Sequence, residues 1–400
     1  VPVSDSTLRD VLQDEQASRA KTVHSCLVDT PVPEAIRMMK SGKVGSILVT
    51  AEDKVKGLLS EKDYIMNLDH GAFCPSDIVA SSIMTPKLVS CSVDTPVLDA
   101  IEWMLTHKVR HMPVLGQESF PVLHGGAGDA AAESEAPPGD DLPAASISAV
   151  VSIRTLLQHV LRVLQEEDAA RVAALEAGAS AGKGDVVDGE EGSTAETPDE
   201  SLPQPHAAFT KDLEDVLEWQ HAAGKKLLLN ADVGDDVTVA DAANEMAEAG
   251  IMSLLVVEGS KPVGILTSRD ILWRLVAGEG GAGGDGATAT GPDATTTPIT
   301  DAMSAPVKCG RPSWTLARAA EYMLSKGLRH LAVVGDSRTV LGVVTMSDLL
   351  RVMLADDLAQ RKQSEGAVKV AKTRDFLNVR LLSGRQGGDE GEEPPTTSER

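Results

Sequence analysis

Two hydrophobic periods alternate along the chain, and the alternation recurs four times. Each copy reads as a short apolar strand, a helix carrying Ala near its start, a second strand, and a Gly/Ala-apolar-apolar-Ser/Thr turn into another helix. The first runs from DTPVPEAIRMMKSGKVGSILVT to GLLSEKDYIMNL and the second from DTPVLDAIEWMLTHKVRHMPVL to AVVSIRTLLQHVL. The third runs from DVTVADAANEMAEAGIMSLLVV to GILTSRDILWRL and the fourth from SWTLARAAEYMLSKGLRHLAVV to GVVTMSDLLRVML. In the first copy Ala35, Ile36, Met38 and Met39 share a helix face, Val44, Ile47, Leu48 and Val49 predict a buried strand, Gly57-Leu58-Leu59 predicts another, and Ser60 opens a helix. Ala149-Val150-Val151-Ser152, Gly264-Ile265-Leu266-Thr267 and Gly342-Val343-Val344-Thr345 hold the corresponding places.

A unit copied in this way cannot bury its apolar face alone, so four copies predict two packed pairs. At 400 residues the chain has room for two domains and their linkers. The predicted class is α/β: two tandem modules of βαββα repeats, the first over 1–164 (repeats at about 16–70 and 80–164) and the second over 209–355 (repeats at about 225–277 and 298–355). SSIMTP before the second repeat and TDAMSAP before the fourth are matching lead-in segments. Residues 116–147 interrupt the second repeat and predict a mobile surface loop. Residues 165–208 begin as a helix and decay into an acidic linker, 278–297 form a Gly-rich linker, and 356–400 predict a largely disordered tail.

Composition narrows the function. A net charge of −23 and 2% aromatic residues argue against a nucleic-acid partner, which needs clustered Lys and Arg or stacking platforms. Cys26, Cys74, Cys91 and Cys309 form no CxxC pair and have no His at ligand spacing, so no metal site or redox dithiol is expected, and a reducing intracellular compartment fits. No apolar run reaches the ~18 residues of a membrane span. The first residue is Val, consistent with a removed targeting segment or a partial chain, so mitochondrion, chloroplast and cytoplasm all stay open. GASAG at 178–182 spells GxSxG but follows a helical run instead of a strand and so makes no nucleophile elbow; with no P-loop or HExxH in the sequence, catalysis is not expected.

GLLSEKD, GILTSRD and GVVTMSD, together with RHMPV and RHLAV, resemble the signatures of cystathionine β-synthase (CBS) domains over roughly two-thirds of the chain. The resemblance implies that two repeats pack about a pseudo-twofold axis as a Bateman module, with adenosyl ligands (AMP, ADP, ATP or S-adenosylmethionine) bound between them as regulators rather than required cofactors. The first module resembles small organellar two-CBS proteins of plants and algae associated with thioredoxin regulation. The fourfold repeat is similar to the nucleotide-sensing gamma subunit of AMP-activated kinase. The implied function is a regulator that senses an adenosyl ligand and acts on an unidentified target protein, for which thioredoxin and a kinase complex are candidates, regulation of a thioredoxin system being an alternative reading of its own. The other alternative is a scaffold with degenerate sites. Modules are expected to pair within the chain or across a homodimer.

A Ser or Thr at a helix N-terminus adds its hydroxyl to free backbone N–H groups and so suits a phosphate, and an Asp one turn later can accept both hydroxyls of a ribose. By resemblance, Asp63, Asp270 and Asp348 would hold ribose, while Ser60, Thr267 and Thr345 would meet phosphate. The same spacing is also a capping box, and both roles can coexist. The second repeat has Thr155 where Asp should stand, so its site is expected to be empty or altered. Arg110-His111 and Arg329-His330 sit where basic side chains would reach phosphate held by the partner repeat, whereas Gly45-Ser46 and Met252-Ser253 are uncharged there. Pseudo-twofold pairing then predicts Asp63 with Arg110 and His111, Asp270 with Arg329 and His330, and Asp348 opposite an uncharged partner. Lys62 and Arg269 are expected to be solvated.

Overall fold

The computed structural model describes residues 1–14, 22–67, 78–86, 88–116, 122–124, 143–181, 205–225, 230–232, 236–276 and 293–368. Cys74, the acidic tract at 182–204, residues 277–292 of the Gly-rich linker, most of the interruption after residue 116 and the tail from 369 lie outside them.

Each repeat folds one small sheet. In the first, β1 (Val23–Leu27) runs parallel to β2 (Ser46–Ala51), which pairs antiparallel with β3 (Lys54–Ser60). The second repeat orders β4 (Cys91–Ser92), β5 (His111–Leu115) and β7 (Ile147–Ser152), and β6 (Val122–His124) crosses over to extend the first sheet beside β1. The third contains β8 (Asn230–Asp232), β9 (Ser253–Glu258) and β10 (Lys261–Thr267), and the fourth β11 (Cys309–Gly310), β12 (His330–Val334) and β13 (Val340–Thr345). The repetition extends to register: Val49 faces Gly57, Val114 faces Ala149, Val256 faces Gly264 and Val333 faces Gly342, with a bulge beside each pair. A bulge raises local twist and aims the strand end. The Ser/Thr closing each hairpin is thereby delivered to the start of the next helix. The small residue at this register has a packing cause as well, since a Cβ on Gly57 would come within 2.6 Å of the Met84 sulfur.

The cores show how the repeats pair. One core unites the second and fourth repeats, with Ile101, Met104, Leu156, Leu157 and Val160 against Leu316, Met323, Leu349 and Leu350. Another unites the first and third, with Ile36, Met39 and Ile65 against Val239, Met246 and Ile271. Two smaller clusters join sheet to sheet, Leu48, Leu58 and Leu88 with Ile147 in the first module, and Leu255 and Val257 with Ala332 in the second. Each such side chain contributes about 1.5–3 kcal/mol when fully buried. The modules therefore pair within one chain: sheets join repeats inside a module, and helices join the modules.

Three expectations about the periphery need correction. The helix expected to start at about 165 is the end of a single 29-residue helix, Ile153–Ala181, that starts at the second repeat's turn and keeps Leu156, Leu157, Val160 and Leu164 buried. The interruption supplies a strand, β6, because β1 offers it an open parallel edge. The tail expected to be largely disordered over 356–400 begins helical, through Ala355–Val368, with Arg361 paired to Asp99 at 2.8 Å and Asp357 to His206 at 3.0 Å, and its remainder from 369 lies outside the described residues. The helices Leu8–Gln13 and Leu213–Ala222 dock beside the second and fourth repeats, respectively, through the bridges Thr7 to Pro96 and Asp212 to Thr315.

Candidate functional site

The first motif closes as a cap. Backbone N–H and hydroxyl of Ser60 donate to Asp63 Oδ2 at 2.8 and 2.5 Å, fixing the start of helix Glu61–Asn67. Asp63 Oδ1 accepts the Thr85 hydroxyl at 2.5 Å, and Thr85 is held there by reciprocal backbone bonds with Leu58. Thr267 and Ser304 treat Asp270 in the same way, at 2.6 and 2.8 Å. Thr85 and Ser304 were missed as site residues although the matching lead-in segments MTP and MSAP carry a hydroxyl at the same place.

Ser60, Asp63 and Thr85 line a cavity of about 280 Å³ together with Lys62, Arg110 and His111, so the structure brings the first motif and the basic pair of its partner repeat to one cleft. Arg110 makes no hydrogen bond or ion pair among the described residues. Burial lowers its pKa against the more distant attraction of Glu61 and Asp348. Burial also pushes His111 well below its ordinary value, reinforced by Arg329, Arg110 and Arg269, so the ring is neutral at pH 7. Gly45 makes room for this cluster, because a Cβ there would lie 2.6 Å from Arg329 Nη2 and 2.9 Å from the His111 ring.

The other predicted pairings do not form. Arg329 turns away from Asp270 to Glu61, which is 5% exposed and also takes Arg269 Nε and Nη2 at 3.0 and 2.9 Å. A buried carboxylate shared by two guanidiniums offers more than a capped Asp already engaged by Ser304 and by Arg274 at 3.7 Å. Burial brings Arg329 down to about 10 even so. Arg269, expected in solvent, is thus an inter-module anchor and stacks 4.4 Å over Trp273. Lys62 lines the cleft, and burial and Arg110 lower its pKa. His330 is buried and held well below its ordinary value by burial and by Arg110, Arg329, Lys225 and Arg269. Nor is Asp348 opposite an uncharged partner: Lys225 Nζ meets Oδ1 at 2.5 Å, and Gln220 Nε2 and Thr345 reach Oδ2 at 2.9 and 2.7 Å. The segment from 213 to 225 therefore fills that carboxylate from within the chain.

The motif without Asp does not collapse. Ser152 and Thr155 hydroxyls lie 2.9 Å apart and line a second cavity of about 510 Å³, which shares Gly45, Arg110, His111 and Arg329 with the first. Its other titratable lining residues are His24, Lys43, Arg154 and Arg269, and no Asp or Glu lines it among the described residues. No cluster of His, Cys, Asp or Glu suited to a metal occurs among the described residues, and no helix there is long and apolar enough to cross a membrane.

The family model described as "CBS domain" matches residues 20–70, 79–121, 233–277 and 299–355. The meiotically up-regulated gene 70 protein of Schizosaccharomyces pombe is 24% identical over 341 residues, covering 82% of this chain and 41% of that protein. The chain thus spans about two-fifths of that relative's length. The CBS domain-containing protein YhcV of Bacillus subtilis is 30% identical over 129 residues, 32% of this chain and 82% of its own length. Protein MJ1225 of Methanocaldococcus jannaschii shares the fold with a TM-score of 0.55 at 17% identity, over 84% of this chain and 98% of that one.

Proposed function

Because the chain belongs to the CBS-domain family, we propose that it is a non-catalytic regulatory protein whose Asp63 cleft binds a phosphate-bearing adenosyl ligand and relays its presence to a target protein. The observation that carries the reading is the meeting of Asp63, the helix start at Ser60 and the unpaired Arg110 in one cavity. Asp63 accepts three hydrogen bonds, from the Ser60 N–H and hydroxyl and from Thr85, so about one acceptor position is left for a ribose hydroxyl and a second opens when the Thr85 hydroxyl turns away. The phosphate lies by Ser60 and Arg110, where a charge-assisted hydrogen bond satisfies a cation that no carboxylate pairs directly among the described residues. At about 280 Å³ the cavity lies just below the ~300–1,000 Å³ usual for small-molecule sites, which suits a mononucleotide better than a larger ligand.

Relay follows from Arg329. It belongs to the fourth repeat yet lines the first module's cleft, where Glu61 holds it. A ligand phosphate competes with Glu61 for that guanidinium and so favours a different fit between modules, by as much as its affinities for the two arrangements differ. Asp270 and Asp348 differ from Asp63 in carrying a cation of their own, Arg274 at 3.7 Å and Lys225 at 2.5 Å, and act as helix caps in this reading.

Calorimetric titration of the full chain with AMP, ADP, ATP and S-adenosylmethionine tests it. Saturable heat is expected, lost in Asp63→Asn and kept in Asp348→Asn. No heat at millimolar ligand, with no thermal stabilisation, refutes it.

A further inference from the structure

We propose that the Thr155 cleft is a second, separate site, for a compact polyphosphate anion without a nucleoside. The cleft of the degenerate motif is the larger of the two cavities, about 510 Å³, and joins the first through Arg110, His111 and Arg329. Its chemistry differs in kind. The first cleft has an Asp to accept a sugar diol; here that place holds Thr155, whose hydroxyl is already engaged with Ser152 at 2.9 Å. Nothing in the described lining accepts a pair of ribose hydroxyls as a carboxylate does.

What the cleft offers instead is positive charge and hydrogen-bond donors. Lys43, Arg110, Arg154, Arg269 and Arg329 gather around it in a chain whose net charge is −23. Glu61 balances Arg269 and Arg329 from behind, and Arg154 gives one N–H to Leu324 O at 2.7 Å. Arg110 stays without a hydrogen-bonded counter-ion among the described residues, and Lys43 stands at the rim. One of the Ser152 and Thr155 hydroxyls donates to the other, and the second hydroxyl and the Gln158 side chain add neutral polar groups at the start of the long helix Ile153–Ala181. Arg110 and Lys43 add positive charge beyond what Glu61 balances among the described residues, and an anion entering the cleft offsets their repulsion with the neighbouring guanidiniums. Several cations spread around one space match vicinal phosphates better than a single carboxylate or monophosphate.

The probe is inorganic pyrophosphate, titrated calorimetrically into the full chain and into three variants, with AMP titrated in parallel. Lys43 and Arg154 line only the Thr155 cleft, and Asp63 lines only the other. Lys43→Asn with Arg154→Gln is expected to weaken pyrophosphate at least tenfold and to leave AMP unchanged, with Asn suiting the left-handed backbone of Lys43 (φ 52°). Thr155→Asp, which removes no bond across the modules and places a carboxylate in the cleft, is expected to weaken pyrophosphate by a similar factor. Asp63→Asn is expected to abolish AMP binding and spare pyrophosphate. Absence of saturable pyrophosphate binding by the folded wild-type chain overturns the proposal. So does binding that Lys43→Asn with Arg154→Gln and Thr155→Asp both leave intact. Loss of AMP binding alone refutes only the adenosyl reading of the first cleft.

Discussion

Glu61→Gln isolates the one carboxylate that ties the modules' cationic centre together. Glu61 is 5% exposed, and its oxygens accept from Arg269 and Arg329, whose side chains are 29% and 23% exposed. Removing one partner of a buried ion pair costs about 3–5 kcal/mol. Gln keeps a carbonyl acceptor, and water reaches both guanidiniums, so about 2–3 kcal/mol is expected here. Urea unfolding at neutral pH and low salt, followed by tryptophan fluorescence, measures the loss. The same change frees Arg329 for ligand, so AMP is expected to bind the variant at least tenfold more tightly, about 1.4 kcal/mol. Ligand at a hundred times Kd adds about 2.7 kcal/mol to stability and so recovers most of the loss. A destabilisation below about 1 kcal/mol refutes the view of Glu61 as a buried counter-ion. Weaker AMP binding by the variant refutes the competition.

The folded state keeps His111 and His330 neutral well below their ordinary value of 6.5, through burial first and the neighbouring arginines second. Unfolding raises proton uptake below that pH, so stability is complete above 6.5 and falls as the pH drops from there toward the folded values. The slope is up to about 1.4 kcal/mol per pH unit for each histidine, and urea midpoints from pH 7.5 to 5 in wild type and His330→Asn check it. Gly45→Ala pushes Arg329 Nη2 and the His111 ring, both ends of movable side chains, so AMP affinity is expected to fall several-fold in calorimetry while the urea midpoint changes little. Asp348→Asn leaves Lys225 without its 2.5 Å partner and is expected to cost about 1–3 kcal/mol by urea unfolding.

Local pattern carried the repeats, the caps and one cleft. Strand and helix periods are local properties, and so is a Ser/Thr-x-x-Asp cap, whose bonds span three residues in all three intact motifs. The pseudo-twofold packing that the CBS resemblance implies then set Asp63 opposite Arg110 and His111, which the first cleft brings together. The symmetry argument failed where a partner came from the other module or from the segment leading into a repeat. Arg329 reaches Glu61 across 268 residues, Arg269 reaches it across 208, and Lys225 reaches Asp348 across 123. From sequence Glu61 and Arg269 are ordinary charged residues in the first turn of a helix, indistinguishable from solvated ones. Their burial depends on which helical faces of the two modules meet, a choice made by the shared apolar cores.

Four βαββα units, their motif starts and the loss of the carboxylate at Thr155 are legible in the order of residues alone. That the modules join within one chain, that Glu61 draws Arg329 from Asp270, and that the Thr155 cleft stays open among cations depend on contacts made only in the fold. Hydrophobic periodicity records which face of each element is buried but not what buries it, whereas Coulomb attraction acts between whichever charges folding has brought within a few ångströms.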